Sequence, residues 1–537
     1  MSAPETATTS RSRVWIVMIL LVMLLMAMRL PSIAQPAGND QHLYAYAAQR
    51  VIEGGVPYVD AWDHKPPGIV FVYALLWTLH PHERVIAIAD TVAAGLVAWL
   101  LVILGRRTFG GTSGWAAAAI FLLLGHPSIA RVSGVYVRGQ CEVFIALAVT
   151  AALVLLADRR PRAWPVACAG LLLGAAFWLK YNALAYALPI GVAAIVWRYQ
   201  AAWSRDWLRD LVWCSAGFLL VSAVVLGYFQ AHGAVGELWT STIEYNLRYS
   251  GETYAGVASA VLYPLLMPLR HARIDLLWFI GGVGALLLAT RVRQSRDGVV
   301  VLAWLVAAVV SIAVNSARNL PQYFVQAAPA MAFAAAAGLA TLRTQPSLVR
   351  LAAALLLVAG IWRVGVESSL PGGVKLGGLP QLAANIGFDL QYLTGRVDRA
   401  TYLRRFKGEQ KYDAFEVDAL VTRVRTTTQP DDRILVFGFS PGVYVNSHRR
   451  SASRFFWSRP VVIEFGAGRP GYGSAGLLQD LAAHPPVLVA LQKKDWGGGE
   501  PNSQEFFLGH PALRAWLDAS YDIEQDTPFF QIWRRRT

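Results

Sequence analysis

The sequence predicts a polytopic α-helical membrane protein that carries a small α/β domain outside the bilayer. Of its 537 residues, 55% are hydrophobic and only 15% are charged, and the mean hydropathy is +0.41. Soluble proteins carry about a quarter charged residues, so a surface this apolar cannot all face water. The composition therefore excludes a disordered chain, a coiled coil, a disulfide-stapled secreted module and a typical cytosolic enzyme.

The net charge of +14 has a location that argues against nucleic-acid binding. After residue 365 the chain has 21 Lys and Arg against 18 Asp and Glu, so most of the excess lies in the hydrophobic part. There it occupies short loops between apolar runs, as the positive-inside rule describes. The three cysteines, Cys141, Cys168 and Cys214, lie in or beside apolar runs and are interpreted as core residues rather than disulfide or zinc ligands.

Eleven apolar runs are each interpreted as a membrane span. They cover approximately residues 14–30, 84–105, 112–125, 140–157, 164–180, 183–198, 211–229, 274–290, 299–315, 323–342 and 349–364. The first run also fits a signal peptide cleaved after Ser32-Ile33-Ala34, and this alternative stays open.

Arginine placement predicts the orientation of these spans. The arginine-bearing loops alternate along the chain and are expected to be cytoplasmic; they contain Arg11/Arg13, Arg106/Arg107, Arg159/Arg160/Arg162, Arg198/Arg205/Arg209, Arg291/Arg293/Arg296 and Arg343/Arg350. The other side then receives segments 31–83, 126–139, 230–273 and 316–322, and the last three are expected to be simple connections. An odd number of spans also places residues 366–537 outside a bacterial inner membrane.

The outer segment 31–83 contains two predicted helices that flank a polar strip. Residues 41–53 repeat apolar side chains at helical spacing, and Pro66-Pro67 opens a second apolar stretch, 68–79, that is short for a span. We expect both helices to lie in the membrane interface. The polar strip between them is Tyr58, Asp60, Trp62, Asp63, His64 and Lys65.

The chain after residue 365 has the composition of a small α/β domain. Strands are predicted at 433–438, 486–491 and 528–533, where short apolar runs follow charged residues or proline. Helical patterns at 414–425 and 476–483 alternate with them. The predicted domains are therefore 1–365 in the membrane and 366–537 outside it.

Common catalytic motifs are absent from the sequence. It has no P-loop, no nucleophile elbow, no zinc-ligand spacing, and no Asp-x-Asp pair in the strip around Asp60. The informative features are Asp40 soon after the first span and the Lys65-Pro66-Pro67 box.

Together with other segments, these features resemble the bacterial relatives of protein O-mannosyltransferases and aminoarabinose transferases. Those are GT-C glycosyltransferases that use polyprenyl-phosphate sugars. The supporting segments are Arg106–Gly110, Gly174–Lys180, Pro321–Phe324 with Pro329, and Asp431–Gly438. The chain departs from the family at Gln41, where members often have Glu, and at Gln322, where they often have His.

The resemblance implies an inverting transfer of a sugar from a polyprenyl-phosphate donor to an acceptor outside the cell membrane, a lipid-linked glycan, lipid A or a protein. Asp40 is expected to be the base that takes the proton of the acceptor hydroxyl. Its alternative role is to cap the following helix. Lys65 is expected to bind the donor phosphate, and its alternative is an interfacial lysine that snorkels.

Further charged or aromatic residues near span ends are weaker candidates. Glu142 would assist by holding the acceptor or a divalent cation, or would only stabilise its helix N-terminus. No cofactor other than such a cation is expected. Substrate binding is further assigned to Arg138, His64, Lys180, Arg318 and Tyr323.

Two other functions compete with the transferase. A transporter or flippase of lipid-linked sugars would place paired charges at mid-membrane and show inverted repeats, whereas these charges cluster at span ends. A non-catalytic scaffold that binds envelope polymer is the third reading, and the polar strip 58–65 counts against it.

Overall fold

A computed structural model describes residues 11–125, 138–158, 162–198, 206–251, 253–315, 318–366, 368–369, 375–376, 379–407, 412–496 and 501–536. Most of them are helical. The longer helices are Arg11–Arg29, Asn39–Ile52, Gly68–Leu79, Arg84–Arg107, Gly111–Leu124, Cys141–Leu156, Ala163–Leu179, Ala187–Arg198, Asp206–Ala231, Val257–Ala272, Leu276–Ala289, Arg296–Asn315, Ala328–Ala340, Ser347–Val366, Leu379–Leu393, Ala414–Thr427, Gly473–Ala483 and Pro511–Ser520. Shorter ones are Val235–Trp239, Tyr245–Gly251, Pro321–Val325, Arg399–Arg404, Gly442–Ser447, Arg459–Val462 and Ser503–Gly509.

Each of the eleven predicted spans contains a helix. By length and hydropathy alone, five helices of the described residues can cross a membrane: those in 14–34, 84–107, 207–231, 296–315 and 347–364. The pair Val257–Ala272 and Leu276–Ala289, bent by 113°, passes the same test when taken together. The number of actual crossings therefore stays a prediction. Arg159, Arg160, Arg205 and most of the expected outer loop 126–139 lie outside the described residues.

The segment 230–273 differs from its expected role as a connection. It holds short helices and the 16-residue helix Val257–Ala272. Two prolines, Pro264 and Pro268, stand inside that helix, and they masked the helical pattern because proline normally ends helices in soluble proteins. Membrane helices tolerate proline better, since neighbouring groups satisfy the freed carbonyls.

Small residues let several apolar helices pack closely. A Cβ added to Gly284 would stand 2.2 Å from the carbonyl oxygen of Ala334, and one added to Gly338 would stand 2.2 Å from that of Gly284. The helices Leu276–Ala289 and Ala328–Ala340 thus touch backbone to backbone. Membrane helices associate through close contacts of this kind, because no hydrophobic effect drives helices together inside the lipid bilayer.

The chain forms two compact units that are discontinuous in sequence. The first contains residues 1–33, 87–223 and 253–390, and the second contains residues 34–86, 224–252 and 391–537. The sequence expectation divided the chain once, after residue 365. In the structure, segments 34–86 and 224–252 belong to the same unit as residues 391–537.

The second unit contains a five-stranded mixed sheet. A two-stranded ribbon, β1 (Ser368–Ser369) with β2 (Lys375–Leu376), precedes it in the chain. The sheet consists of β3 (Arg433–Phe437), β4 (Arg450–Ser451), β5 (Leu488–Gln492), β6 (Tyr521–Asp526) and β7 (Phe530–Arg535), in the order β4-β3-β5-β7-β6. β3 is parallel to β4 and β5, while β7 is antiparallel to β5 and β6.

The three predicted strands correspond to β3, β5 and β7, and both predicted helices are present. β4 was not predicted because it has only two residues. β6 was not predicted because all of it after Tyr521 is exposed, so it lacks the apolar alternation of a half-buried strand.

The helix Asn39–Ile52 is buried on almost all its sides. Nine of its fourteen residues are buried, including Tyr44 and Tyr46. A helix lying in the membrane interface would bury one apolar face only, so this part of the expectation is wrong. Tyr46 explains the difference: its ring packs 4.5 Å from Phe456, and its hydroxyl accepts a hydrogen bond from the Ser451 backbone at 2.8 Å. The helix is a core element of the second unit.

Candidate active site

The polar strip 58–65 is held by backbone bonds at several points. Tyr58 adopts a positive φ of 71° and closes a turn by donating its N–H to the Ala61 carbonyl at 2.9 Å. Its buried hydroxyl donates to the Lys65 carbonyl at 2.8 Å. The two ends of the strip are thus tied to each other. The backbone that carries Lys65 is fixed before any substrate arrives.

Other segments of the second unit hold the middle of the strip. The Trp62 N–H donates to the Arg454 carbonyl at 2.9 Å, and the Trp457 indole donates to the Trp62 carbonyl at 2.9 Å. Asn246 donates to the His64 carbonyl from the short helix Tyr245–Gly251. Two segments that are far apart in sequence, residues 454–457 and the helix that contains Asn246, therefore set the geometry of the strip.

Asp40 and Lys65 lie together within this unit. The Lys65 Nζ is 3.8 Å from Asp40 Oδ1 and 5.0 Å from the centre of the Tyr44 ring. The Asp40 side chain is 23% exposed and that of Lys65 is 13% exposed. The carboxylate is accessible and has a cation beside it, so it can meet a substrate hydroxyl while the ammonium meets an anion.

Asp40 is not the cap of its helix. The helix starts at Asn39, and its N-cap residue is Gly38, with no side-chain cap hydrogen bond. Asp40 lies in the first turn of the helix. A carboxylate is favoured there by the helix dipole, but it is not the N-cap residue. The capping alternative is therefore wrong, and the contact with Lys65 is the feature that distinguishes this carboxylate.

Asp63 and His64 form a pair of titratable side chains beside Lys65. The Asp63 carboxyl is 2% exposed, and its Oδ1 accepts the His64 backbone N–H at 2.7 Å. Burial alone would raise the pKa of Asp63, but the Lys65 charge and the His64 contacts outweigh burial and lower it. Burial, together with Lys65, lowers the pKa of His64, against the opposing charge of Asp63. At neutral pH the strip therefore carries an Asp63 carboxylate and a neutral imidazole.

These two shifts predict a loss of stability on acidification. Both folded-state pKa values lie below the unfolded values. The contribution of each group to the free energy of unfolding is therefore complete above its unfolded pKa, and it is lost as the pH falls towards its folded pKa. For His64 the loss begins below about pH 6.5, and for Asp63 below about pH 4. We expect the apparent melting temperature in detergent to fall between pH 7.5 and 5.5 less steeply for His64→Gln than for wild type. Identical slopes would contradict a neutral His64.

The first unit brings three of the predicted residues together. Lys180 Nζ is 2.6 Å from Glu142 Oε1 and 4.2 Å from the centre of the Tyr323 ring. Glu142 lies in the first turn of the helix Cys141–Leu156 and is 1% exposed. A buried lysine without a counter-charge would be costly at the end of an apolar helix. The Glu142 carboxylate and the Tyr323 ring face together offset this cost.

A chain of buried hydrogen bonds supports this group. Gln326 donates to the Tyr323 carbonyl at 2.9 Å, and its side-chain oxygen accepts from Ser311 at 2.8 Å and from Tyr186 at 3.2 Å. Asn182 donates to the Ser311 carbonyl at 2.7 Å. These bonds fix the backbone from which the Tyr323 ring faces Lys180.

Arg138 and Arg318 are placed differently. Arg138 is buried, and its guanidinium donates to the Ser32 carbonyl at 2.5 Å and to the Ser32 hydroxyl. At least two of its five donors are thus used inside the protein. Arg318 lies in the turn before the helix Pro321–Val325. The substrate-binding roles of both residues stay predictions. Within the described ranges, no group of three or more His, Cys, Asp or Glu side chains has the arrangement of a metal site.

Sequence reasoning named the charged residues but missed most of their partners. Tyr58 was named only as a member of the polar strip, and Tyr44 and Trp457 were assigned no role, since aromatic residues are abundant in this chain. Asn246 was not named. Asn246 is 182 residues from His64. Glu142 and Lys180 were each named separately, and a mutual spacing of 38 residues gives no sign that they form a pair.

Comparison with known proteins gives a shared fold at low sequence identity. No protein-family model and no curated protein matches the chain. The solved structure of ArnT from Cupriavidus metallidurans in the apo state matches with a TM-score of 0.60 and 14% identity, over 98% of each chain. The structure of the same protein bound to undecaprenyl phosphate matches with a TM-score of 0.57, again at 14% identity and over 98% of each chain. The expected GT-C fold, a helical membrane module with a small C-terminal sheet, is therefore confirmed for this chain.

Proposed function

We propose that this protein is an inverting glycosyltransferase that moves a sugar from a polyprenyl-phosphate donor to an acceptor outside the cell membrane. The observation that carries the proposal is the Asp40–Lys65 pair, with 3.8 Å between Oδ1 and Nζ. The pair combines an accessible carboxylate and a cation on a backbone that is fixed by Tyr58 and Asn246. The likeness to ArnT, whose structure holds undecaprenyl phosphate, supports the choice of donor.

The two side chains supply what the reaction requires. The acceptor oxygen attacks the anomeric carbon, and a new carbon–oxygen bond forms as the bond to the phosphate oxygen breaks. The phosphate leaves with the electron pair, and Asp40 takes the proton of the acceptor hydroxyl. Lys65 neutralises the charge on the leaving phosphate. A phosphate is already a good leaving group, so a cation suffices and no acid is needed.

The lipid bound to the purified protein tests the donor class. We expect mass spectrometry of the protein, purified in mild detergent, to detect a polyprenyl phosphate or its glycoside. Addition of a polyprenyl-phosphate sugar to membranes that contain the protein should then produce free polyprenyl phosphate and a glycosylated acceptor. A purified protein that carries no such lipid and does not bind it when it is added would contradict the proposal.

The proposal also requires the second unit to face away from the cytoplasm. Ala519→Cys offers an exposed site in this unit, and Gln294→Cys offers one in an arginine-bearing loop of the first unit. We expect an impermeant maleimide to label the first variant in intact spheroplasts and the second only after lysis. Wild type, with its three native cysteines, gives the background. The reverse labelling pattern would place Asp40 in the cytoplasm.

A further inference from the structure

The second unit contains a further polar strip, the 80–84 strip, between the apolar helix Gly68–Leu79 and the start of the helix Arg84–Arg107. It follows Leu79 and reads His80-Pro-His-Glu-Arg84. His80, His82 and Arg84 are exposed. The two imidazoles stack with 5.9 Å between their centres, and the Arg84 N–H donates to the His82 Nδ1 at 3.1 Å. The strip therefore presents two histidines and an arginine on one surface.

The neighbours of the strip place it at the level of the lipid head groups. Arg84 is the first residue of a helix that is long and apolar enough to cross a membrane. On the other side, Leu75 and Leu79 of the helix Gly68–Leu79 are 63% and 73% exposed. Exposed leucines followed at once by cations are typical of a chain that leaves the hydrocarbon for the interface.

A second set of cations adjoins the strip. Arg425 and His448 are exposed and come from the C-terminal segment of the same unit. Burial lowers the pKa of His448, and the charges of Arg425, Arg449 and His82 lower it further. The two segments meet around His42: a Cβ added to Gly442, which begins the helix capped by His448, would stand 2.7 Å from the His42 ring, and that ring is 3.1 Å from Glu83 Oε2. Burial and the charges of Arg84, His80 and Arg399 likewise lower the pKa of His82, while Glu83 opposes them.

The nearby carboxylates are engaged elsewhere. Glu83 Oε2 is 3.1 Å from the His42 ring and accepts the Ala37 backbone N–H at 3.3 Å. Asp418 is bound to Arg399 at 2.7 Å. Across the described part of the chain, no carboxylate lies within ion-pair distance of Arg84 or Arg425.

We propose that His80, His82, Arg84, Arg425 and His448, together the basic patch, bind the phosphate of an anionic phospholipid head group. The Arg84 guanidinium supplies a planar donor pair that matches a phosphate. The Arg425 guanidinium donates to the Asn446 carbonyl and adds a second positive charge beside it. The position beside Leu75 and Leu79 selects a phosphate that is attached to acyl chains. This interaction fastens the second unit to the membrane surface, and it goes beyond the proposed sugar transfer because it involves neither Asp40 nor Lys65.

The experiment uses the full-length protein in a non-ionic detergent with a short-chain phosphatidylglycerol as the probe. We expect isothermal titration calorimetry to detect binding that phosphatidylcholine of the same chain length does not give. Arg84→Gln should weaken the binding about fivefold, and Arg84→Gln with Arg425→Gln about 25-fold, since each cation near a membrane surface contributes a similar amount. The control removes Arg514 and Arg536, two exposed arginines of the same unit that are paired with Asp518 and Asp522.

Three results would each contradict lipid binding by the basic patch. The first is equal phosphatidylglycerol binding by wild type and the double variant, and the second is an equal loss of phosphatidylglycerol binding in the control variant. The third is binding of inorganic phosphate as tight as that of the lipid. Arg84 has no side-chain partner among the residues that the structure describes, so Arg84→Gln keeps the fold and tests the patch even if the double variant unfolds. Sugar transfer by Arg84→Gln in detergent should equal that of wild type, so failure of the patch and failure of the transferase proposal remain distinguishable.

The histidines add a second, independent readout. The pKa values of His82 and His448 lie below the ordinary histidine value. Their protonation as the pH falls should strengthen phosphatidylglycerol binding, since each adds a positive charge to the site. Replacement of His80, His82 and His448 by Gln should remove the difference between pH 5.5 and 8 and leave the arginine contribution. The other charged groups beside them are Glu83, Arg399 and Arg449. The pKa of Glu83 is lowered and that of Arg399 is raised, so neither group changes its charge over this range. A pH dependence that persists in the triple variant would exclude the histidines from the patch.

Discussion

Replacement of Asp40 by Asn is expected to reduce sugar transfer by a factor of about 10²–10⁴, the usual contribution of a general base. The amide has the shape of the carboxylate but cannot take a proton from the acceptor hydroxyl. Because Gly38 rather than Asp40 caps the helix, the substitution does not remove a cap hydrogen bond. The fall should appear in kcat, measured as release of polyprenyl phosphate at saturating donor and acceptor.

Asp60 provides the matched control for this experiment. It lies in the same outer segment, is exposed, and accepts the Val56 backbone N–H at 2.7 Å, a bond that an Asn side chain can also accept. Asp60→Asn should therefore keep wild-type kcat. Donor binding by Asp40→Asn should also stay near wild type, because Lys65 remains in place. Transfer by Asp40→Asn within a few fold of wild type would exclude Asp40 as the base.

Hydropathy predicted the helical module well. All eleven apolar runs contain helices, because lipid-facing helices must be apolar over most of their length and leave a strong local signal. The three central strands of the C-terminal sheet were found for the same reason: β3 and β5 are buried along almost their whole length and read as apolar runs. Elements with exposed or proline-containing sequences, such as β6 and Val257–Ala272, gave no such signal.

The arrangement of the candidate site was predicted only in part. Asp40 and Lys65 were named as candidates because they stand in a short polar interval between apolar stretches. The burial of the helix Asn39–Ile52 could not be found in the same way. Its apolar spacing fits a lipid surface as well as a protein surface, and only the distant contacts of Tyr46 with Ser451 and Phe456 distinguish them. The pairing of Glu142 with Lys180 is likewise tertiary, since neither residue has a local sequence feature that requires the other.

Lys65→Ala is expected to weaken binding of polyprenyl phosphate by roughly 10- to 150-fold. A charge-assisted bond to phosphate contributes on the order of 1.5–3 kcal/mol, at about 1.4 kcal/mol for each tenfold change in affinity. The measurement is the binding of the lipid to purified variants in detergent. Lys65→Arg should recover part of the affinity, because the charge remains while the geometry differs. Lys493→Ala is the control: this lysine belongs to the same unit and is paired with Asp526, away from Asp40.

The alternative for Lys65 is a snorkelling lysine that only anchors the interface, and it makes a different prediction. Loss of an anchor would lower the melting temperature slightly and leave lipid binding unchanged. The structure already favours the first role, because a snorkelling ammonium reaches for water, whereas this one is 13% exposed and faces Asp40 and the Tyr44 ring. Equal lipid binding by Lys65→Ala and wild type would nonetheless show that Lys65 does not bind the phosphate and only pairs with Asp40. The phosphate would then have to be bound by one of the other cations predicted from the sequence, and Lys180 would be the next to replace, because Tyr323 and Glu142 already hold it in a defined position.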